Sequence, residues 1–194
     1  MKIIDITRVA QEAPIYPGDA PLSIVSISDM QRGDDYNDSL ITSGSHIGTH
    51  ADAVTHFLSE SGMTIDKMTL ERYYGPCRVL TVPKDCILDA PMLSGRLGKT
   101  ERLVLHTGGH SYLGRDAAAY LVESGVRTVV TDAWSVAPLD NEGEIHRILL
   151  GAEVAIIENV ILSGVPDGVY LLSAFPIKYG GCDGAPVRAV LIEI

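Results

Sequence analysis

Apolar residues in this chain come in short bursts, and the length of those bursts limits most strongly what it can fold into. The runs Leu22 to Ile27, Cys77 to Val82, Leu103 to Leu105, Thr128 to Thr131, Val154 to Ile157 and Val187 to Ile194 reach no more than eight residues. They are rich in Val and Ile, and Gly, Pro and Asp separate them, as strands separated by turns require. Pro17-Gly18-Asp19, Pro166-Asp167-Gly168 and Asp183-Gly184 are such turn signals. No run approaches the roughly 18 consecutive apolar residues of a membrane helix.

Helical patterns are fewer. The best is Gly114 to Glu123, where Leu113, Ala117, Tyr120 and Leu121 share one face and Gly125 supplies a stop. A second is expected after Asp140, leading through Ile145, Ile148, Leu149 and Leu150 to a close at Gly151. The turn at Gly125 then enters a buried strand that ends on Asp132, and helix, turn and strand in that order form an α/β unit. Strands outnumber helices, so the expected fold class is mixed, strand-rich α/β. At about 150 residues per domain, 194 residues make little more than one domain. No repeat, charge block or linker divides the chain, so residues 1–194 are read as a single domain, with Lys84 to Lys99 its most loop-like stretch.

Charge narrows the function classes. Fifteen Lys and Arg face 25 Asp and Glu, a formal charge of −10, and no basic patch is present to displace counterions from a nucleic acid. Three cysteines without CxxC spacing give neither a disulfide framework nor a thiolate metal site. With no apolar signal core behind Met1-Lys2-Ile3-Ile4-Asp5, the expectation is a soluble cytoplasmic protein.

Histidine is the residue out of proportion. The chain has six, and His46, His50 and His56 fall within 11 residues, where a random scatter would leave about a third of one. In His46-Ile47-Gly48-Thr49-His50-Ala51-Asp52-Ala53-Val54-Thr55-His56, imidazoles and a carboxylate offer the donor types that zinc, manganese and iron accept. Gly48 and its small neighbours allow the tight backbone path that aims them together. The alternative is a set of turn-capping or core-satisfied side chains. The spacing is not that of HExxH, so zincin chemistry is not indicated. His56, four residues past Asp52, is either a proton acceptor or one more ligand. Farther on, His146 and Glu158 flank the second helix and the run Val154-Ala155-Ile156-Ile157, with Glu158 at its end.

The His46 to His56 segment resembles the HxGTHxDxPxH signature of the cyclase family of metal-dependent hydrolases, which includes bacterial kynurenine formamidases and isatin hydrolases. Tyr16-Pro17-Gly18-Asp19, Gly125 to Ser135, His146 to Glu158, Phe175 to Lys178 and Asp183 to Ala189 resemble further family segments in the same order. The resemblance implies a swivelling β/β/α-type fold and a homodimer whose neighbouring subunits help shape each pocket. It implies metal ligation by His46, His50, Asp52, His146 and Glu158, with one or two ions of Zn2+ or Mn2+ per subunit and Asp52 able to bridge two. His56 is then the catalytic histidine, working with Glu158 in proton transfer, and Tyr16, Asp19, Trp134 and Ser135 are expected at the substrate. The implied reaction is hydrolysis of a small aryl formamide such as N-formylkynurenine by metal-activated water. A one-metal hydrolase of a cyclic amide or lactone is the runner-up, and a non-catalytic metal-containing binding module is the alternative from another class.

The chain departs from the family pattern in three places. Val54 stands where the signature has Pro, which changes loop rigidity and leaves the donors intact. Ala137 replaces an acidic residue and Trp134 adds bulk, which puts formamidase preference in question. His106 and His110 occupy a stretch that is RTG-like in relatives. They are read as surface or turn residues, as a contact for a substrate carboxylate, or as a separate metal site.

Overall fold

The computed structural model describes all 194 residues, Met1–Ile194. Its strands are β1 (Ile3–Asp5), β2 (Ser23–Ser28), β3 (Asp38–Thr42), β4 (His50–Asp52), β5 (Tyr74–Thr81), β6 (Ile87–Leu88), β7 (Arg102–His106), β8 (Tyr112–Leu113), β9 (Thr128–Thr131), β10 (Ala155–Glu158), β11 (Gly168–Ser173), β12 (Gly184–Pro186) and β13 (Val190–Glu193). The helices are α1 (Ala90–Leu93), α2 (Arg115–Glu123) and α3 (Glu142–Gly151). Strand-rich mixed α/β is therefore the observed class.

Nine strands form one sheet in the order β1-β13-β11-β5-β7-β9-β10-β4-β12. Its centre, β5-β7-β9-β10, is parallel and the flanks on both sides are antiparallel. The parallel centre carries the uninterrupted apolar runs, such as Leu103, Val104 and Leu105, because it is covered on both faces.

The sheet must curl. β12 lies at one edge and β13 next to the opposite edge, yet only Val187, Arg188 and Ala189 separate them. In a flat sheet they would stand roughly 34 Å apart at about 4.8 Å per strand, and so short a connection spans only about 14 Å. Contacts between the two ends record the closure: Ile161 N–H donates to Ile6 O, Thr7 pairs with Val160, and Arg8 N–H donates to Thr49 Oγ1. The run Val187 to Ile194, read from sequence as one strand, is broken because it crosses this seam.

Gly125 stops α2 at φ +79°, as its position predicts. In α3 the face Ile145, His146, Leu149 and Leu150 is buried. Gly151 is that helix's last residue instead of its stop, and Glu153 takes the left-handed turn at φ +55°. Lys84 to Lys99 is more ordered than its composition suggests. It contains β6 and α1, whose N-terminus Asp89 caps by accepting from Met92 N–H at 2.9 Å. The β2–β3 hairpin pairs only with itself. Elsewhere 43 buried residues make one continuous apolar core. No helix is long and apolar enough to cross a membrane.

Candidate metal centre

His50 and Asp52 are two residues apart on β4, so both side chains leave the same face while Ala51 points the other way. β10 runs antiparallel to β4 with Glu158 directly opposite His50, a register that brings Cβ atoms to about 5 Å. The buried face of α3 adds His146, and the tight path at Gly48 (φ +61°) returns His46 to the same point. The five expected ligands thus converge on one spot from four segments of chain.

Their donor atoms face one another. Asp52 Oδ1 lies 3.0 Å from His46 Nδ1 and 3.4 Å from His50 Nε2. His146 Nε2 is 3.6 Å from Asp52 Oδ2 and 3.4 Å from Glu158 Oε1, and His50 Nε2 is 3.5 Å from Glu158 Oε2. The other ring nitrogens are held outward. His50 Nδ1–H donates to Gly48 O and His146 Nδ1–H to Glu142 O, both at 2.9 Å, which leaves each Nε2 lone pair pointing inward. Glu158 Oε1 is oriented by Val136 N–H at 2.7 Å.

This arrangement fits a divalent cation. Donors about 2.1 Å from a common ion stand about 3.0 to 3.4 Å from each other, close to the 3.0 to 3.6 Å between these atoms. Asp52 Oδ2 is buried without a hydrogen-bond partner, a condition costly for a carboxylate unless a cation answers it. Asp52 also belongs to both inner donor groups, His46-His50-Asp52 and Asp52-His146-Glu158. Without metal, protons take the cation's place. Burial opposes charge on His46, but hydrogen bonds and charges from Asp183 and Asp52 push it up to about 10. Burial likewise opposes charge on His146, and Asp52 and Glu158 push it up to about 10. Burial works against the two carboxylates as well, yet the imidazoles hold Asp52 well below, and Glu158 below, the usual range.

His56 stands beside the cluster, not inside it. Its ring stacks on His46 at 3.9 Å between centroids, and Nδ1 lies 3.3 Å from Asp183 Oδ2. That leaves Nε2 as the ring's free nitrogen. Burial, aided by the neighbouring His46 and His146, lowers its pKa and favours the neutral imidazole a general base needs. Asp183 also lies 3.1 Å from His46 Nε2 and accepts from Ser45 Oγ at 2.9 Å, and the His46 contact holds its carboxyl well below the ordinary range. Gly184 follows from the same geometry, since a Cβ there would sit 2.6 Å from His46 Cε1 and 2.9 Å from Ala51 O.

A cavity of about 200 Å³ opens over the cluster. Tyr16, Asp19 and Trp134 line it, with Tyr16 and Trp134 rings 5.6 Å apart. Ser135 does not line it. That side chain is buried and donates to Glu142 Oε1 at 3.0 Å, because β9 has ended and the chain has turned inward toward α3. Val54 is buried in a short 3-10 turn that delivers His56 without the family's Pro. Three residues at the site were not anticipated: Asp183, read only as part of a turn; Glu142, which accepts from Tyr16 Oη at 2.5 Å; and Asn159, which lines the cavity beside Glu158. The only sequence signals were Asp183-Gly184 within the closing segment and the acid at the start of α3. His106 Nε2 is 3.9 Å from Asp132 Oδ2, and neither His106 nor His110 lines this cavity.

The Cyclase family model matches residues 4–138 of this chain. The kynurenine formamidase of Bacillus cereus is 35% identical over 204 residues, covering 98% of this chain and 97% of that protein. That of Bacillus anthracis is 34% identical and covers 100% and 98%. Among solved structures, a potential metal-dependent hydrolase with cyclase activity aligns with a TM-score of 0.84 at 26% identity, over 98% of this chain and 96% of that one. Isatin hydrolase A from Labrenzia aggregata shares the fold, with a TM-score of 0.83 at 20% identity over 98% and 93%.

Proposed function

Because the chain belongs to the Cyclase family, we propose that it is a metal-dependent hydrolase cleaving the amide of a small aryl formamide, N-formylkynurenine being the type substrate. The observation that carries this reading is a five-donor cluster with an Asp52 oxygen that has no hydrogen bond, set beneath a cavity lined by His56, whose Nδ1 faces Asp183. A closed structural zinc takes four ligands, whereas this chain assembles five and keeps a sixth residue, His56, free. That surplus favours catalysis over a binding module.

His46, His50, Asp52, His146 and Glu158 would hold the ions. Membership of Asp52 in both inner donor groups favours two ions sharing it, and three imidazoles favour Zn2+ or Mn2+ over oxygen-preferring cations. When bound, such a cation supplies Lewis acidity, lowering the pKa of water from about 15.7 toward 7 and polarising the carbonyl. The chain's own residues do the rest. Asp183 fixes the Nδ1–H of His56, so Nε2 takes a proton from the attacking water and later gives it to the leaving nitrogen. Glu158, on the same cavity wall, is the second proton-transfer group. Trp134 and Tyr16 offer flat faces to an aryl ring, and the Tyr16 hydroxyl is kept protonated, its pKa pushed up to about 12 by burial and Glu142. Asp19, on the cavity rim, faces the polar end of the substrate.

The continuous core supports one domain over residues 1–194. A homodimer is part of the same reading. The β2–β3 hairpin leaves Ile24, Val25, Ile27, Leu40 and Ile41 between 46% and 62% exposed, and a two-stranded hairpin is marginal alone and calls for cover.

The test is to strip the protein with a chelator, resupply Zn2+ or Mn2+, and assay N-formylkynurenine beside isatin and simple lactones. Metal-restored cleavage of the formamide supports the reading, and preference for isatin transfers it to a cyclic amide. Two bound ions with no turnover would leave a binding module. His56→Ala is expected to keep normal metal content while kcat falls about 10²- to 10⁴-fold.

A further inference from the structure

The metal cavity is not closed at its Trp134 end. Pro14, Trp134 and Asn159 line both that cavity and a neighbouring depression, which in turn shares Arg8, Gly109 and Asp132 with a third of about 330 Å³. The three lie side by side and share these walls, and what lines the far two has no role in hydrolysis itself.

Arg8 is the dominant charge there. Its guanidinium enters no ion pair or hydrogen bond in the fold, and Nε is buried without a partner. The backbone beneath it is held firmly. Arg8 N–H donates to Thr49 Oγ1 at 2.8 Å, and that hydroxyl donates to Asn159 O at 2.7 Å, at the seam where the sheet closes. Asp132, the one acid lining these two depressions, is already engaged: its carboxylate accepts from Thr107 N–H at 2.8 Å, Thr107 Oγ1 at 2.5 Å and Gly108 N–H at 3.0 Å. Lys84 lines the third depression and also makes no ion pair. In a chain of charge −10, unpaired cations gathered on these depressions are not explained by the fold.

Asn159 makes the second observation. It is 5% exposed, sits at φ +60° and lines both the metal cavity and the next depression, yet its side-chain amide bonds to nothing in the protein. With its backbone packed into the seam, the amide is what this residue shows to the two depressions, and it is free to bond a ligand's polar group. A guanidinium presents a planar fork that matches a carboxylate with two parallel hydrogen bonds.

We propose that Arg8 anchors a carboxylate carried by the substrate at the end remote from its scissile amide, with Asn159 engaging the polar group between the two. This rests on the hydrolase reading and assigns it the residue that separates carboxylated substrates from neutral ones. Arg8 and Asn159 are specificity residues here and touch none of the reacting atoms.

The test compares N-formylkynurenine with neutral formanilide in the metal-loaded wild type, Arg8→Ala and Arg8→Lys. The ratio of their kcat/KM values is expected to fall about 10- to 100-fold in Arg8→Ala, through KM for the carboxylated substrate, and by less in Arg8→Lys. Trp134 is the chain's one tryptophan and lies at the junction, so its fluorescence reports binding without turnover. Kynurenine is expected to quench it in the wild type at concentrations about 10- to 100-fold lower than in Arg8→Ala, while 2-aminoacetophenone, which lacks the carboxylate, shows no such difference. An unchanged substrate ratio, or equal kynurenine binding by both proteins, overturns the anchor. If the wild type cleaves neither formamide, the hydrolase reading fails while the fluorescence titration still decides the anchor.

Discussion

Replacing Asp183 with Asn tests whether one carboxylate organises both metal binding and proton transfer. Its Oδ2 faces His46 Nε2 at 3.1 Å and His56 Nδ1 at 3.3 Å, and Ser45 Oγ donates to Oδ1 at 2.9 Å. A hydrogen bond to a charged group contributes about 1.5 to 3 kcal/mol, but the Asp183 side chain is 46% exposed, which screening reduces to roughly 1 kcal/mol per histidine. At about 1.4 kcal/mol per factor of ten, metal affinity through His46 should weaken about 5- to 10-fold. At saturating metal, kcat should fall about 10- to 100-fold, because the amide has no charge and only one acceptor oxygen for Ser45, His46 and His56, so the tautomer and ring of His56 are held less firmly. The pH profile separates positioning from mere structure. Burial, His46 and His146 lower the His56 pKa while Asp52 and Asp183 oppose them, so loss of the Asp183 charge should move the acidic limb of kcat to lower pH. Competition with a chromophoric chelator gives the affinity, and kcat measured against pH at saturating Zn2+ gives the limb. Wild-type kcat with an unmoved limb would refute the pairing of Asp183 with His56.

Three further outcomes follow from the same geometry. The raised pKa values of His46 and His146, both about 10, stabilise the metal-free fold fully below about pH 6.5, and this is lost as pH rises through 10. Chelator-treated protein should therefore lose Tm over that interval while metal-loaded protein loses less; a gap that narrows with rising pH, seen by differential scanning fluorimetry, would contradict the cluster's electrostatics. Gly184→Ala puts a methyl 2.6 Å from His46 Cε1 and 2.9 Å from Ala51 O. Denaturant melts should show a loss of about 1 to 3 kcal/mol, with weaker metal uptake because His46 must move. Ile41 is 62% exposed on β3, and Ile41→Glu should shift the mass found by light scattering from dimer toward monomer; an unchanged mass would place the interface elsewhere.

Much of the site was legible because its chemistry is local. His50 and Asp52 share a face by the two-residue period of a strand, and His46 lies close enough in sequence to turn back on them at Gly48. The Val- and Ile-rich bursts declared the strands for the same reason, since a period and a length can be read without knowing the partner. Long-range geometry governs the rest. Ser135 points into the protein because the chain turns toward α3 after β9. The Val187 to Ile194 run splits because it must cross a closed seam, and β3, Asp38–Thr42, hardly shows in its polar sequence.

Residue identity and order settle which atoms can bind metal, since imidazole and carboxylate donors are properties of residues, and they settle that strands carry them. Tertiary structure alone decided which residues serve those donors. Asp183 lies 137 residues from His46 and 127 from His56, and Arg8 stands beside the cavity's Trp134 end only because the residues just past β1 and β10 pair across the seam. No periodicity records such contacts. They arise when a nine-stranded sheet curls until its edges meet, and that closure is set by the packing of the whole core.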